Sequence, residues 1–234
     1  MIDVCCTSDL HGILPVIKKP FDLLLLAGDI VNLYCQREPD ATRSWYTKSF
    51  ADWLNKLPYK DSESKVILIA GNHEVGWQRL TFSERKGIIC EINEKTNNRL
   101  VYLEDEHFVF KGIKIFGTPY CKIFGNWAFM CNNEYLKEHY SKCDSDCDIL
   151  LTHDAPYGVS DMCFDWVDWG RTPMHIGNEP LRDMILEKQP KYCIHGHLHS
   201  ANHDKEFLGN TEVYCVSLVN EAYKEVYEPL YLTF

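Results

Sequence analysis

The chain has 234 residues, of which 45% are hydrophobic, and its 34 acidic side chains outnumber its 24 basic ones. This acidic balance argues against a protein that binds long nucleic acids, because such binding needs many lysines and arginines. A small ligand that carries phosphate stays compatible with the charge, since bound metal ions can supply positive charge. The sequence shows no secretion signal and no apolar run long enough to span a bilayer. We therefore expect a cytoplasmic protein without membrane contact.

Short apolar runs that stop at turn signals or at the chain end predict eight β-strands. They cover residues 2–7, 22–27, 65–70, 113–116, 148–152, 192–194, 213–218 and 229–233. Several of these runs are apolar throughout and do not alternate with polar residues. Such runs are typical of strands that are buried on both faces, so we expect helices to cover the sheets.

Helical spacing of apolar residues predicts helices between these strands. They cover residues 42–57, 82–95 and 134–141, and a fourth begins near Pro180. Pro58 ends the first helix, and Asn178 could cap the fourth. The alternation of strands and helices predicts an α/β fold. No repeat, low-complexity tract or Gly/Ser linker interrupts the chain, so we predict a single domain over residues 1–234.

Eleven cysteines raise the question of disulfides. Their number is odd, and several fall inside predicted strands, which favours reduced thiols in the core of a cytoplasmic protein. The cysteines inside strands are Cys5, Cys6, Cys193 and Cys215. The CDSDC segment, with Cys143 and Cys147, has a spacing that suits metal chelation, but no second pair is spaced to complete a zinc knuckle. We interpret this segment as a polar surface loop.

Polar residues follow five of the predicted strands directly. The motifs are SDLHG with Asp9 and His11, AGDIVN with Asp29, AGNHE with Asn72 and His73, LTHDAP with His153, and IHGHLH with His197 and His199. The carboxyl ends of strands are where α/β sheets bind ligands, so these side chains should converge at one edge. Each motif alone is explained equally well by a polar residue in a turn or by a buried, hydrogen-bonded histidine. Five such motifs in order, each directly after a strand, are hard to attribute to chance.

The chemistry of this set points to metal ions. Its donors are carboxylate oxygens, an amide oxygen and imidazole nitrogens without a thiolate, which suits Mn²⁺, Fe or Zn²⁺ more than a structural zinc. Seven donors are too many for one tetrahedral ion and fit two ions that share a carboxylate. Two ions about 3.5–4 Å apart form a recognised clamp for in-line displacement at phosphorus, with a bridging water as the nucleophile.

The ordered series D-x-H, G-D, G-N-H-E, T-H and G-H-x-H resembles the calcineurin-like metallophosphoesterase superfamily. The segments GTPY, GNWAF, LTHDAPYG, HIGNEPL and HGHLHS are similar to those of the small metallophosphoesterase-domain proteins, a group that resembles class III cyclic nucleotide phosphodiesterases. The resemblance implies a four-layer α-β-β-α sandwich of two mixed sheets flanked by helices. The strand count agrees with this fold and equally with an ordinary doubly wound sheet.

The resemblance also implies a role for each residue of the set. The first metal ion would be bound by Asp9, His11 and His199, the second by Asn72, His153 and His197, and Asp29 would bridge both. The two ions would be divalent, with Mn²⁺ preferred and Fe, Zn²⁺ or a mixed pair as alternatives. His73 would contact the phosphate and protonate the leaving oxygen, a role that suits an imidazolium near neutral pH.

Departures from the family patterns narrow the substrate. Serine/threonine protein phosphatases of this superfamily carry an Asp-Arg pair after the bridging aspartate, where this chain has Asn32 and Leu33. Nucleases of the superfamily carry an additional domain that faces DNA, and this acidic chain has no room for one. The resemblance therefore implies a small phosphodiester as the substrate, with cyclic nucleotides as the class that the small relatives suggest.

Four residues are candidate substrate contacts, namely Asn32, Trp127, Arg171 and His175. Trp127, in the aromatic segment FGNWAF, could stack on a nucleobase or could pack its loop against the sheets. Arg171 could reach a phosphate, although exposed arginines usually have no such role. The small relatives also carry a histidine at the position of His175, which makes it a candidate on the substrate side.

Three functions follow from the sequence. The leading one is a two-metal phosphodiesterase for a small molecule. A phosphomonoesterase, including a protein phosphatase, is the alternative among enzymes, and the missing arginine disfavours it. A metal-binding scaffold or sensor without turnover is the alternative outside enzymes. The complete set of donors together with His73 argues against the scaffold, because a decayed site should have lost at least one of them.

Overall fold

Two mixed β-sheets lie at the centre of the computed structural model, which describes residues 1–163 and 173–234. The first contains β1 (Asp3–Thr7), β2 (Leu23–Ala27), β3 (Lys65–Ile69), β4 (Leu100–Tyr102) and β15 (Leu230–Thr233), in the order β15-β1-β2-β3-β4. The second contains β5 (Glu106–Phe110), β6 (Ile113–Thr118), β9 (Ile149–Thr152), β12 (Tyr192–His195), β13 (Glu206–Leu208) and β14 (Thr211–Cys215), in the order β13-β14-β12-β9-β6-β5. Two short pairs are β7 (Cys121–Lys122) with β8 (Met130–Cys131) and β10 (Met162–Cys163) with β11 (Met174–His175).

The central strands of each sheet run parallel, and only edge strands run against them. β15 is antiparallel to β1 in the first sheet, and β5 and β13 are antiparallel to their neighbours in the second. The parallel strands β1, β2 and β3 therefore end at one edge of the first sheet, and β6, β9, β12 and β14 end together in the second.

Continuous apolar runs let each sheet pack on both faces. In β2, Leu23, Leu25 and Ala27 belong to the cluster between the sheets, whereas Leu24 and Leu26 pack against the helices. This division follows from the alternation of side chains along a strand. The second sheet contributes Ile113, Ile115, Ile149, Leu151, Ile194 and Tyr214 to the cluster between the sheets.

Helices cover the outer face of each sheet. They are α1 (Pro39–Trp45) and α2 (Ala51–Leu54), joined by a π-helical turn (Tyr46–Phe50), followed by α3 (Val75–Arg79), α4 (Phe82–Lys95), α5 (Asn133–Ser141) and α6 (Glu179–Lys188). Residues of α1 to α4 pack on the first sheet, and residues of α5 and α6 pack on the second. The four-layer α-β-β-α fold is thus confirmed. None of the described helices combines the length and the apolar character that a bilayer crossing requires.

The helix boundaries largely follow the sequence signals. The helix over residues 82–95 is confirmed, and the Asn178 side chain caps α6 by accepting the Leu181 N–H at 3.1 Å. The first helical segment differs from the prediction, because it begins at Pro39 and ends at Leu54 instead of covering residues 42–57. Proline suits the first turn of a helix, where its missing N–H would have no partner.

The cysteines are free thiols throughout, and the four inside predicted strands are buried, as expected. The interpretation of CDSDC as a polar surface loop was wrong for its thiols. Cys143 and Cys147 are 1% and 6% exposed and pack in the cluster beneath α5 and α6. The aspartates of the segment are the exposed part, and both bind the Lys114 Nζ.

Candidate dinuclear metal centre

The loops after β1, β2, β3, β9 and β12 bring the predicted metal ligands together. Three groups have ligand atoms within 4.8 Å of one another: Asp9 with His11 and His199, His11 with Asp29 and His73, and Asp9 with Asp29 and His153. The Asn72 Oδ1 lies 2.9 Å from the His153 Nε2, which brings the amide oxygen into the same cluster. Residues from both sheets therefore meet at one place, and their roles as ligands stay predictions.

The loops that carry these side chains adopt a backbone conformation that most residues avoid. Asp9, His11, Asp29 and His197 have φ angles of 53°, 45°, 54° and 72°, in the left-handed region. Non-glycine residues are uncommon there, and such strain concentrates at functional sites. The chain thus turns sharply at each of these residues directly after its strand. A Cβ on Gly196 would collide with the Asp9 carboxylate and Ser8, so the last loop needs a glycine at that point.

The Asp9 carboxylate is fully buried and held by donors on several sides. The Ser8 and Ser217 hydroxyls donate to its Oδ2 at 2.5 and 2.7 Å, and the His197 N–H donates at 3.0 Å. The His199 Nε2 lies 3.4 Å from Oδ1. Burial raises the pKa of Asp9, but the hydrogen bond and charge of His199 outweigh burial and hold this pKa well below its usual range. The group is therefore an anion.

Asp29 lies between the histidines, as a bridging carboxylate should. Its Oδ2 is 3.4 Å from the His153 Nε2 and 3.9 Å from the Nε2 atoms of His11 and His73. Its Oδ1 accepts the His73 N–H at 2.7 Å. Burial raises the pKa of Asp29, but the charges of His153 and His73 outweigh burial, so the net shift of this pKa is downward.

The donor set fits divalent cations. Within residues 1–163 and 173–234, no lysine or arginine pairs with Asp9 or Asp29, so histidines alone supply positive charge. Although burial lowers the pKa of a histidine, the carboxylates raise the pKa of His153 to about 10 and that of His199 to about 9. The Nε2 atoms of His11 and His199 also face each other at 3.2 Å. A cation between these groups would replace the protons and satisfy both carboxylates.

Two other histidines of the last loop are placed differently. The His197 ring lies 5.0 Å from the His153 ring, centre to centre, and its backbone rather than its side chain contacts Asp9. Burial lowers the pKa of His197 to about 3, which leaves a neutral ring able to bind a metal. His195 ends β12, is buried, and its Nδ1 lies 3.0 Å from the Gly196 carbonyl oxygen.

His73 lies at the rim of this cluster. Its Nε2 is 3.9 Å from the Asp29 Oδ2, and its Nδ1 is 2.5 Å from the Gln36 Oε1. The ring stacks on Trp127 with 4.4 Å between centroids. Burial lowers the pKa of His73, and the charge of Asp29 partly opposes that change. The side chain is thus close to the metal ligands but is oriented by groups outside them.

Glu74 is a buried residue of the site to which the motif assigned no role. Its carboxylate accepts the backbone N–H groups of Asp29, Ile30, Val31 and Gly71 at 2.9, 2.8, 2.9 and 2.6 Å. It thereby links the loop after β2 to the loop after β3. The signal was present in the sequence as the last letter of GNHE, but its partners lie elsewhere in the chain.

The candidate substrate contacts have different surroundings. The Asn32 Oδ1 accepts the Tyr34 N–H at 2.9 Å and so stabilises its own turn. Trp127 stacks on His73. His175 lines a cavity of about 460 Å³ together with His197, and its Nδ1 is 2.5 Å from the Asp161 Oδ1. Arg171 lies outside the described residues. The substrate roles of all four stay predictions.

Known proteins of similar sequence include one that is named for a metallophosphoesterase domain. Metallophosphoesterase domain-containing protein 1 of Homo sapiens is 28% identical over 211 residues, which cover 83% of this chain and 59% of the relative. This chain therefore spans less than two thirds of that relative. A UPF0046 protein of Caenorhabditis elegans is 29% identical over 219 residues, which cover 90% of this chain and 67% of the relative.

Solved structures share the fold at low sequence identity. The protein TT1561 of Thermus thermophilus superposes with a TM-score of 0.56 at 14% identity, covering 92% of this chain and 88% of that one. Phosphopantetheinyl hydrolase from Mycobacterium tuberculosis gives a TM-score of 0.54 at 15% identity, covering 94% and 90%. Residues 2–201 match the family model described as calcineurin-like phosphoesterase, a family of dinuclear metal enzymes. Because that match covers most of the chain, the protein belongs to the calcineurin-like phosphoesterase family.

Proposed function

We propose that the protein is a dinuclear-metal phosphodiesterase that hydrolyses a small phosphodiester, either a cyclic nucleotide or a nucleotide-like molecule. The observation that carries this proposal is the meeting of two buried carboxylates with a set of imidazoles, and with His73 at the rim. Two divalent ions, with Mn²⁺ preferred and Fe or Zn²⁺ as alternatives, would supply an activated water and neutralise charge on the phosphoryl oxygens.

The protein's own residues would divide the work. The first ion would be held by Asp9, His11 and His199, the second by Asn72, His153 and His197, and both by Asp29. His73 would donate the proton on its Nε2 to the leaving oxygen as the bond to phosphorus breaks, which removes the cost of expelling an alkoxide. The place of its Nε2 beside Asp29, 3.9 Å from the Oδ2, supports this role.

The cavity next to His197 supports a nucleotide-sized substrate. Its lining includes Phe124, Met174 and His175, together with Lys122. Phe124 is 54% exposed, and its ring centre lies 5.0 Å from that of His197. An exposed aromatic ring beside the metal centre suits stacking on a base, which contributes about 1–3 kcal/mol in proteins that bind single strands. A phosphodiester with one such group would have its phosphate at the metal ions and its base in this cavity.

The test compares a diester with a monoester. The purified protein is loaded with Mn²⁺ and assayed with bis(p-nitrophenyl) phosphate, p-nitrophenyl phosphate and a panel of 2′,3′- and 3′,5′-cyclic nucleotides. We expect faster turnover of the diester and hydrolysis of at least one cyclic nucleotide. If none of these esters is hydrolysed, the proposal that the protein is an enzyme is wrong. If the monoester is hydrolysed faster than the diester, the proposal that it is a phosphodiesterase is wrong.

Two further measurements bear on the residues. His73→Ala should lower kcat for a cyclic nucleotide by about 10²–10⁴-fold, because the alkoxide then leaves without a proton. His107→Ala is the matched control, since His107 pairs with Asp144 away from the metal centre and should retain activity. Elemental analysis should find about two ions per chain, as a clamp of two ions requires. A clear value of one would refute the bridging role of Asp29.

A further inference from the structure

Gln36 contacts the His73 imidazole on the side away from the metal ligands. The Gln36 Oε1 lies 2.5 Å from Nδ1, whereas Nε2 is the nitrogen near Asp29, at 3.9 Å from its Oδ2. The partner at one imidazole nitrogen fixes which nitrogen carries the proton and which faces the site. Gln36 is thus placed to set both the tautomer and the orientation of His73.

The segment that carries Gln36 is anchored to two helices. The Gly76 N–H in α3 donates to the Gln36 carbonyl oxygen at 2.6 Å, and the Thr42 hydroxyl in α1 donates to the Cys35 carbonyl oxygen at 2.7 Å. A Cβ on Gly76 would press against the Thr42 hydroxyl and lie 3.0 Å from the Glu38 carbonyl. Glycine at this position therefore lets the segment approach α3 closely, and the fold itself determines where the Gln36 side chain begins.

A stack of side chains fixes the plane of the same imidazole. The Trp127 ring lies 4.4 Å from the His73 ring with 29° between their planes, and the Arg37 guanidinium lies 4.7 Å from the Trp127 ring centre. The Ala128 N–H donates to the Asn72 carbonyl oxygen at 2.9 Å, which ties the tryptophan loop to the histidine loop. Trp127 thus restrains the tilt of the ring, and Gln36 restrains its rotation.

We propose that Gln36 is a positioning residue for His73 in the phosphodiesterase reaction, which makes this inference dependent on the proposed function. The Gln36 amide oxygen accepts the Nδ1–H of the His73 imidazolium, so that Nε2 presents the second proton of the ring to the leaving oxygen. As the ester P–O bond breaks, its electron pair passes to that oxygen, which takes the Nε2 proton. The N–H electron pair stays on Nε2, which leaves a neutral ring with its proton on Nδ1. The attacking water forms the new P–O bond, keeps one hydrogen on the product phosphate and loses its other proton to solvent, and solvent returns a proton to His73.

The kinetic test varies the leaving group in Gln36→Leu. Diphenyl phosphate expels phenolate, which is about as basic as a tyrosine side chain with pKa near 10, whereas bis(p-nitrophenyl) phosphate expels a weaker base that needs no proton. We expect kcat for diphenyl phosphate to fall about 10–100-fold in this variant. The kcat for bis(p-nitrophenyl) phosphate and the KM values for both diesters should change less than about threefold. Gln36→Glu retains an acceptor oxygen and should retain most of the rate with diphenyl phosphate. Gln78→Leu, the same change on the exposed side of α3, should leave both rates unchanged.

A second measurement does not depend on turnover. The protein is loaded with Zn²⁺, because an ion with a closed d shell is diamagnetic and does not broaden the signals. Two-bond ¹H–¹⁵N spectra then report the tautomer of each histidine. The His73 signals are assigned by their loss in His73→Ala. At a pH where the ring is neutral, they should show the proton on Nδ1 in the wild type and in Gln36→Glu, and not in Gln36→Leu. An unchanged tautomer in Gln36→Leu, or an equal loss of rate with both diesters, would overturn the proposal. Failure of the wild type to hydrolyse any diester would instead refute the proposed function, while the spectra would still test the contact.

Discussion

Replacement of Glu74 by glutamine should loosen two loops that carry predicted metal ligands. The Glu74 Oε2 accepts the N–H groups of Asp29 and Gly71, and Oε1 accepts those of Ile30 and Val31. The side chain is fully buried, so water cannot take its place. Glutamine keeps one acceptor oxygen, and its NH₂ group would face two backbone donors. One pair of these N–H groups would therefore lose its acceptor.

The magnitude follows from the number of donors left without a partner. A buried donor without an acceptor costs about 1–3 kcal/mol, so two cost about 2–6 kcal/mol. Domains of this kind are stable by only about 5–15 kcal/mol, so Glu74→Gln should lower the free energy of unfolding by a large fraction. Because Asp29 is itself a predicted ligand and Gly71 adjoins Asn72, another one, the same loss should also weaken metal binding.

The assay is urea denaturation at pH 8, with metal content measured on the same samples. Burial raises the pKa of Glu74 to about 7, and at pH 8 its carboxylate is ionised. Glu84→Gln is the control, because Glu84 is exposed and accepts the Thr81 N–H at 2.7 Å in a capping box. Glutamine serves equally in that motif, so we expect a change below about 1 kcal/mol. If Glu74→Gln unfolds at the wild-type urea concentration and keeps its metal, the role assigned to Glu74 is wrong.

Two further predictions concern pH and substrate affinity. In the metal-free protein, the nearby carboxylates outweigh burial and raise the pKa of His199 to about 9 and that of His153 to about 10. The charged forms of these two histidines therefore stabilise the folded state fully below about pH 6.5, and this contribution is lost as the pH rises through about 9 to 10. Burial lowers the pKa of His11 to about 4, so the folded state favours the neutral ring, and the free energy of unfolding should also fall as the pH drops below about 6.5. Denaturation midpoints that do not change with pH would contradict this reasoning. Phe124→Ala should raise KM for a cyclic nucleotide about 5–150-fold, because the stacking contact is lost. Phe207→Ala changes an exposed phenylalanine that does not line this cavity and should leave KM unchanged, so equal KM values in the two variants would argue against stacking.

The residues of the candidate metal centre were accessible from the sequence because each directly follows a strand. Asp9, Asp29 and His153 are far apart in the chain, yet parallel strands deliver their carboxyl ends to a common edge. The long apolar strands were equally accessible, since a run such as LLLLA has no polar residue that would indicate an exposed face.

Several of the elements that the sequence did not predict are short or depend on distant contacts. β4 and β13 have three residues each, too few to show a period of two. The five-residue helix α3 is fixed by packing of Trp77 in the core and not by a repeat of its own. Cys143 and Cys147 flank polar residues, and only the helices above them make their sites buried. In each case tertiary packing outweighs the local pattern.

The same distinction separates metal ligands from the residues that orient them. A ligand is recognisable from its immediate neighbours in the chain, because the strand before it fixes its place. Glu74 contacts Asp29, which lies 45 residues away in the chain, and Gln36 contacts His73, which lies 37 residues away. A sequence motif does not encode the loop conformations that bring these residues together. The Gln36 contact depends on the close approach that Gly76 permits, which no spacing rule reveals. Relatives with the same seven predicted ligands can therefore hold the histidine of GNHE by different groups. We expect differences in leaving-group preference among such relatives to arise in these loops before they arise at the metal ions.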